Sequence, residues 1–328
     1  MKIVAGVLLA LVVIAFFFYH EFYPAKEIIW GLNFSILQAK FLGQDWKKLY
    51  HEILNDFHPQ RLRIMVYWQS LEPKRGVFDF EDIDYLLSEA SKYQAKVILV
   101  LGHKQPRWPE CHHPEWYDSL TPREQEQATL KMLEEAVDHF RISRAVYAWQ
   151  IENEPFFQYG PDCPSIDRDF YRREIAEVRA LDSRPIIVTD SGEKGAWLPV
   201  SLAGGQILGS TMYREVYHNE KKKYVKYYIP PALYRIKAGI VKFFSPIKEF
   251  IGVELQAEPW FATDVFQTDW SRQQELMNPE ILTANLDYAR RVGFAENYLW
   301  GVEWWYWAKA QGHPEMWETA RQILNPSE

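Results

Sequence analysis

The stretch "WQIENEP" places Glu152, Asn153 and Glu154 directly after an apolar run. Charged groups are costly to bury, so a strand that runs into them usually ends at solvent or at a functional site. A second apolar run, "FIGVEL", contains Glu254. Two carboxylates that face each other can cleave a glycosidic bond, because one protonates the leaving oxygen while the other attacks the sugar carbon. These residues therefore indicate acid–base and nucleophilic chemistry.

Eight apolar, β-branched runs alternate with segments whose apolar residues recur three and four positions apart. Strands that alternate with helices form βαβ units and a parallel sheet. Eight units match one (β/α)8 TIM barrel, whose usual size is about 250 residues. A doubly wound open sheet is the competing fold, but no glycine-rich phosphate turn follows an early run. The runs are Ile28–Phe34, Leu62–Trp68, Val97–Leu101, Ala145–Ile151, Ile186–Thr189, Ile207–Tyr213, Phe250–Leu255 and Tyr298–Trp304.

Composition limits the partners of this chain. Its 328 residues carry a net charge of −7, which argues against nucleic acid as the main partner. Aromatic residues make up 16% of the chain, which is compatible either with a ring-rich core or with a cleft that stacks on sugars. No repeat or low-complexity linker divides the chain, so residues 28–328 are predicted to form one catalytic domain, expected to be a monomer.

In a TIM barrel the βα loops build the site at the C-terminal ends of the strands. Polar and aromatic residues occupy these predicted strand ends. They are Asn33, Trp68, His103, Asn153, Glu154, Tyr213, Glu254, Gln256 and Trp304.

With these motifs in their predicted places, the chain resembles the retaining β-glycosidases of glycoside hydrolase clan A, which include cellulases, β-mannanases and β-galactosidases. The resemblance covers most of the chain from Trp30 onward. It rests on "WQIENEP" at the fourth strand and on a glutamate at the end of the seventh. It rests further on "RLRIMVYWQSLEPKRGVFDFEDIDYLLSEASKYQAKVILVLGHKQPRWP", which is similar to the strand two to strand three region of those families.

The resemblance implies that Glu154 is the acid/base and that Glu254 is the nucleophile. It implies that Asn153 holds the sugar 2-hydroxyl and that Arg63 and Tyr213 contact the nucleophile. Elementary chemistry is consistent with these roles, because Arg63 is a permanent cation and Tyr213 is a neutral donor.

Further substrate contacts are expected from His103, Trp304 and Trp68. The resemblance matches His103 to the strand-three histidine of the clan and Trp304 to the strand-eight tryptophan, whose ring would be a platform for a sugar. His103 could equally be a structural histidine.

Three assignments keep an alternative. Glu258 lies four residues after Glu254 and competes with it as nucleophile; Glu254 is favoured because it ends a strand. Arg63 could instead form a structural ion pair. Glu152 could serve only to support its neighbours.

The loop "GHKQPRWPECHHPEW" carries histidines and Cys111, which raises the question of a metal. Neither a Cys-x-x-Cys nor a His-x-x-x-His spacing occurs, so a zinc site is disfavoured and neither a metal nor an organic cofactor is expected. Cys111 and Cys163 are predicted on adjacent loops, so a disulfide is feasible, and the sequence leaves it open.

The N-terminus predicts a membrane anchor. Lys2 precedes 17 uncharged, mostly apolar residues from Ile3 to Tyr19, the lower limit for a membrane-spanning helix. No small-residue cleavage site follows, which favours an uncleaved signal anchor at residues 1–20 with a tether at 21–27 over a cleaved signal peptide. The catalytic domain would then lie outside the cytoplasm.

Residues 214–248 form a basic segment, with nine Lys or Arg against two Glu. Such a run is most often a solvated face. Next to an anchor, it could also lie on an anionic membrane surface or shape the cleft.

The sequence thus predicts a membrane-anchored retaining glycosidase that acts on a β-linked oligo- or polysaccharide. The alternative is a catalytically silent, carbohydrate-binding barrel. The sugar, the linkage, endo or exo action, and hydrolysis or transglycosylation stay undetermined, because loop shape and a few hydroxyl contacts decide them.

Overall fold

The computed structural model describes Gly6 and residues 27–158, 163–219 and 221–325. The predicted anchor therefore lies outside the described residues, apart from Gly6. Within the described part of the chain, no helix is both long and apolar enough to cross a membrane.

Eight parallel strands close into a barrel, which confirms the predicted TIM-barrel fold. Around the barrel the strands follow the order β1-β10-β9-β6-β5-β4-β3-β2. Two further strands, β7 and β8, pair antiparallel outside it. The bounds are β1 Ile29–Phe34, β2 Arg61–Met65, β3 Lys96–Leu101, β4 Val146–Ile151, β5 Ile186–Asp190, β6 Ile207–Met212, β7 Glu215–His218, β8 Lys223–Lys226, β9 Glu249–Gln256 and β10 Glu296–Trp300.

Helices connect the strands and cover the outside of the barrel. Within the described ranges they are α1 Ile36–Phe41, α2 Trp46–Phe57, α3 Trp68–Leu71, α4 Glu81–Lys92, α5 Pro122–Phe140, α6 Arg168–Leu181, α7 Leu198–Ser201, α8 Pro231–Phe244, α9 Trp270–Leu276, α10 Pro279–Val292, α11 Val302–Ala310 and α12 Glu315–Leu324.

Local sequence signals define where several helices begin and end. The Asp45 side chain caps α2 by accepting from the backbone N–H groups of Lys47 and Lys48. Thr121 and Glu124 form a reciprocal capping box at the start of α5. Gly293 ends α10 with a left-handed φ of 85°, a conformation that glycine adopts without strain.

The hydrophobic core of the described residues has three parts, the third of which is a small cluster of Met65, Tyr67, Val100 and Trp300. The largest fills the space between the strands and the surrounding helices. The second consists of Ile98, Ala148, Ile187, Ile207, Ile251, Val253 and Tyr298. Apolar packing therefore occupies the strands, and the polar strand ends are left to form the rim.

Two of the predicted strands end earlier than expected. Strand β2 stops at Met65, so Trp68 begins α3, and β10 stops at Trp300, so Trp304 lies in α11. Gly301 makes the turn between β10 and α11, with a φ of 136°. A Cβ at that position would meet the Glu258 Cβ at 2.5 Å, so the backbone can pass there only as glycine.

The basic segment 214–248 divides into two elements. Its first part is the β7–β8 hairpin, which follows β6 and so lies at the mouth of the barrel. Its second part is α8, which leads back to the start of β9 at the opposite end. The hairpin residues Val216, Tyr217 and His218 line the cleft, so this part of the segment shapes the cleft.

Candidate active site

A cleft of about 680 Å³ opens at the C-terminal ends of the strands. Its lining includes both candidate carboxylates, Glu154 and Glu254, and the predicted contacts Asn153 and Tyr213. The remaining lining residues are Trp108, Glu110, Phe157, Gln158, Ser191, Glu193, Lys194, Thr211, Val216, Tyr217, His218, Asn219, Tyr227 and Trp260.

Glu254 lies near the end of β9 and is held by two predicted partners. The Arg63 guanidinium donates to Glu254 Oε1 at 3.0 Å and is fully buried. The Tyr213 hydroxyl donates to Glu254 Oε2 at 2.9 Å. Burial and the Glu254 charge raise the pKa of Tyr213, so its hydroxyl keeps the proton that it donates. Glu254 is therefore placed as a carboxylate with a fixed orientation.

Glu154 lies just after β4 in a different environment. Its Oε1 lies 3.4 Å from Thr211 Oγ1, whose hydroxyl proton is donated to Glu193. Burial, followed by the nearby charges of Glu254 and Glu110, raises the pKa of Glu154 well above that of an ordinary carboxyl group. Glu154 is thus suited to carry a proton at neutral pH.

The backbone at Glu154 is held in an unusual conformation. Glu152 and Glu154 have left-handed φ values of 58° and 45°, which are uncommon for residues other than glycine. The Glu154 N–H donates to Thr189 Oγ1 at 2.9 Å, and the Asn153 N–H donates to the Lys104 carbonyl at 2.7 Å. Neighbouring strand ends therefore hold the turn that points Glu154 into the cleft.

Asn153 and Arg63 belong to one buried network beneath the cleft. Arg63 donates to Asn153 Oδ1 at 3.1 Å, to Gln150 Oε1 at 2.7 Å and to Asn33 Oδ1 at 2.8 Å. Because Asn153 accepts from Arg63 through its oxygen, its amide nitrogen is left to donate towards a ligand.

His103 and Glu152 support this site from outside the cleft lining. Glu152 accepts from the backbone N–H groups of His103 at 3.0 Å and Lys104 at 2.6 Å, and it is fully buried. His103 Nδ1 lies 3.4 Å from Glu152 Oε1. At Gly102, a Cβ would lie 2.3 Å from the Glu152 carboxyl carbon. His103 thus contacts Glu152 and lies outside the cleft lining.

The expectation that Trp304 and Trp68 contact the substrate is wrong. Trp304 is 1% exposed in α11, and its indole N–H donates to Gln273. Trp68 is fully buried in α3, and its indole N–H donates to Glu72. Both strands end before these residues, so both rings turn into the core.

Other aromatic and acidic residues line the cleft instead. The Trp108 side chain is 60% exposed, and the Trp260 ring stands edge-on to Tyr213 with centroids 5.2 Å apart. Burial raises the pKa of Glu110 to about 7, although Lys104 lies 3.1 Å away. Glu193 accepts from Thr211 Oγ1 at 2.7 Å. These residues lie in loops that follow strands, and this position in the sequence could have predicted that they line the cleft.

Glu258, the alternative nucleophile, is bound elsewhere. It accepts from the Arg107 guanidinium and is not part of the cleft lining. Glu254 is therefore the better placed of the two.

The two cysteines form a disulfide, with Cα atoms 5.3 Å apart. The bond ties the loop after β3 to the loop after β4, and the first of these loops carries Trp108 and Glu110. Among the described residues, no group of three or more His, Cys, Asp or Glu is arranged to hold a metal ion.

Comparison with known proteins supports the same architecture. Residues 45–185, less than half of the chain, match the family model of glycoside hydrolase family 42, described as beta-galactosidase. An endo-beta-1,4-xylanase of family 10 from Gloeophyllum trabeum superposes with a TM-score of 0.59 at 14% identity, over 92% of this chain and 97% of the xylanase. The chain has the glycoside hydrolase clan A fold.

Two further clan A barrels are similarly close. The GH5_18 enzyme of Streptomyces cattleya, solved with GlcNAc, gives a TM-score of 0.59 at 14% identity, over 84% of this chain and 71% of that one. The endo-1,4-beta-D-mannanase of Thermotoga petrophila gives 0.57 at 15% identity, over 83% and 88%. At these identities the likeness shows the barrel fold and leaves the substrate open.

Proposed function

We propose that this clan A barrel is a retaining glycosidase that hydrolyses a β-linked saccharide by double displacement. The proposal rests on one observation: Glu154 and Glu254 line the same cleft in unlike environments. Arg63 and Tyr213 hold Glu254 as a carboxylate, whereas burial and neighbouring negative charge favour the protonated form of Glu154. This is the division of roles that acid and nucleophile require.

In the first step, Glu154 gives its proton to the glycosidic oxygen while a Glu254 oxygen bonds to the anomeric carbon and the bond to the leaving group breaks. In the second step, the Glu154 carboxylate takes a proton from water. The water oxygen then bonds to the anomeric carbon, and the ester bond to Glu254 breaks. Both side chains return to their starting states, so no cofactor takes part.

The comparisons support a carbohydrate substrate and leave its sugar open. The family 42 match is described as beta-galactosidase, and two of the similar structures are named as a xylanase and a mannanase. Exposed Trp108 and half-buried Trp260 supply ring faces suited to stacking on a sugar.

A panel of aryl β-glycosides with good leaving groups tests the proposal, with a 2-fluoro glycoside of the best substrate as a covalent trap. We expect turnover, and we expect peptide mass spectrometry to find the label on Glu254. Glu258→Gln is the matched control and should still be labelled. A label on Glu258, or on neither glutamate, would contradict the assignment of the nucleophile.

Azide distinguishes the two roles by the configuration of the product. In Glu154→Ala, azide should intercept the covalent intermediate and give a β-glycosyl azide. In Glu254→Ala, azide should displace the leaving group directly and give an α-glycosyl azide. If wild-type protein binds sugars without turning over any glycoside, the alternative of a silent carbohydrate-binding barrel replaces the proposal.

We also propose that Ile3–Tyr19 hold the barrel at a membrane, with the catalytic domain outside the cytoplasm. Support comes from the apolar sequence that follows Lys2. Helix α8 adds support, because it exposes Leu233, Ile236, Ile240, Phe243 and Phe244. Residues 231–248 contain four basic residues and no acidic one, a composition that suits an anionic lipid surface.

A further inference from the structure

The loop after β3 crosses the mouth of the barrel instead of leaving it open. Near the tip of this loop, the Arg107 guanidinium donates both to Glu258 and to Glu303, the latter at 3.1 Å. The same guanidinium lies over the Trp300 ring, 4.1 Å from its centroid. Glu258 follows β9, Trp300 ends β10 and Glu303 lies in α11, so Arg107 reaches the far side of the mouth.

The backbone of this loop is tied down beside Arg107. The Tyr67 hydroxyl donates to the Pro106 carbonyl at 3.2 Å and lies 2.8 Å from Ser35 Oγ. Tyr67 follows β2 and Ser35 follows β1. The Arg107 bridge, defined here as Pro106, Arg107, Glu258 and Glu303, is therefore anchored to β1, β2, β9 and β10 together.

The residues that line the cleft avoid this side of the barrel. They lie on or after β3, β4, β5, β6 and β9, or in and directly after the β7–β8 hairpin; in the described part of the chain, none lies on or after β1, β2 or β10. Those three strands are neighbours in the barrel. Trp300, at the end of β10, is only 5% exposed beneath Arg107. The cleft therefore extends along the β4, β5 and β6 side, and the Arg107 bridge covers the mouth on the β10–β1–β2 side.

The two carboxylates lie differently with respect to the covered side. Glu254 is on β9, which adjoins β10, whereas Glu154 follows β4, whose own loop continues into the open part with Phe157 and Gln158. In the double displacement, the glycone is the sugar that becomes bonded to Glu254. The leaving group, here called the departing portion, is protonated by Glu154 and leaves on its side. The glycone therefore faces the Arg107 bridge and the departing portion faces the open side.

From this arrangement we infer that the protein is exo-acting: it binds the non-reducing end of a β-linked oligosaccharide and releases one sugar at a time. This inference rests on the proposed function. A second sugar beyond the glycone would occupy the space of the Arg107 side chain and its two carboxylates. Arg107 is the residue that sets this limit, and Trp108 and Glu110, next to it in the loop, border the terminal sugar.

The primary test follows which bond of a chain breaks first. Gluco-, manno- and xylo-hexaoses with β-1,4 linkages carry a fluorescent label at the reducing end, and early products are separated by length. We expect the label to appear first in the pentaose and to move down one unit at a time. Early label in a di- or trisaccharide would overturn the inference and leave the proposed function intact. If no hexaose and no aryl glycoside is cleaved, the proposed function itself fails.

A blocked substrate gives an independent measurement. A gluco- or manno-hexaose whose terminal non-reducing sugar carries a 4,6-benzylidene group should resist cleavage, because the enlarged end cannot fit against the Arg107 bridge. Cleavage at the same rate as the unblocked hexaose would contradict a closed end.

Shortening Arg107 should open the cleft. In Arg107→Ala we expect the ratio of internal to terminal cuts to rise by about 10-fold or more. The matched control is Arg61→Ala, which breaks the 3.0 Å ion pair with Glu296 at the opposite end of the barrel and should leave the ratio unchanged. An equal rise in both variants would point to general loosening and would contradict the role of Arg107. The wild-type profile decides the inference even if Arg107→Ala does not fold.

Discussion

Glu154 and Glu254 are chemically identical side chains that the fold places among different neighbours. A guanidinium and a phenol contact Glu254, whereas Glu154 has carboxyl groups nearby and its side chain lies 3.4 Å from a hydroxyl. Glu110 is one of those carboxyl groups and contributes to the raised pKa of Glu154. A residue outside every recognised motif therefore helps to keep the proposed acid protonated.

Replacing Glu110 should change the pH dependence of activity. Above pH 7 Glu110 is mostly ionised, so Glu110→Gln removes a negative charge near Glu154 and lowers its pKa. The alkaline limb of the kcat/KM profile should then move to lower pH, by roughly 0.5–1 unit. Asp84→Asn, an exposed carboxylate on α4, is the control and should leave the limb in place. A shift to higher pH in Glu110→Gln would contradict this electrostatic account.

At the scale of single elements, α8 differs from the other helices in what it exposes. Phe243 and Phe244 are 82% and 60% exposed at its C-terminal end. This end leads into β9 at the N-terminal face of the barrel, the same face at which the chain enters β1 at Ile29. An anchored barrel would therefore bring α8, and not the lysines of the β7–β8 hairpin, towards the lipid.

A fluorophore at position 243 tests this orientation. The native cysteines are bonded to each other, so Phe243→Cys in the full chain introduces one reactive thiol. In vesicles of phosphatidylcholine and phosphatidylglycerol, brominated lipid should quench a label at this position. The control is Val77→Cys, which is 57% exposed in the loop before α4 and should be quenched little. Equal quenching at both positions would exclude α8 as the membrane-facing element.

For the whole molecule, buried carboxyl groups couple stability to pH. Glu174 on α6 is fully buried, and burial together with the Glu152 carboxylate raises its pKa well above the ordinary value. The nearby His103 and the backbone N–H groups lower the pKa of Glu152, so Glu174 is the partner that keeps the proton. A carboxyl group with a raised folded-state pKa stabilises the fold below its unfolded pKa, and the contribution is lost as the pH rises towards the folded value.

Stability should therefore fall as the pH rises from about 6.5 to 8. Each group that stays protonated in the fold contributes a loss of about 1.4 kcal/mol per pH unit in this range. His112, whose pKa burial lowers to about 4, makes stability rise with pH only between about pH 4 and 6.5, so it does not offset the loss at higher pH. Melting temperature against pH measures the effect.

Glu174→Gln mimics the protonated side chain, because its amide can donate to Glu152. We expect it to match wild type at pH 5 and to flatten the decline above pH 6.5. Asp169→Asn changes an exposed carboxylate on the same helix and should keep the wild-type slope. A variant less stable than wild type at pH 8 would show that Glu174 is ionised in the fold.

Hydrophobic periodicity predicted the barrel and the position of most of its polar strand ends. Alternating strands and helices bury their apolar faces in only a few arrangements, and a closed parallel barrel brings all strand ends to one mouth. Glu154, Glu254, Asn153, Arg63 and Tyr213 lie on or next to strands, so their convergence followed from the strand positions. Their proposed roles came from the resemblance to clan A.

Only the tertiary structure decided the loops and the walls of the cleft. Strand ends at Met65 and Trp300 moved Trp68 and Trp304 into the core, because a shift of a few residues turns a ring from the mouth to the helix layer. The disulfide and the Arg107 bridge join residues far apart in the chain. Such contacts depend on where distant backbone segments meet in space, and local sequence patterns do not predict this.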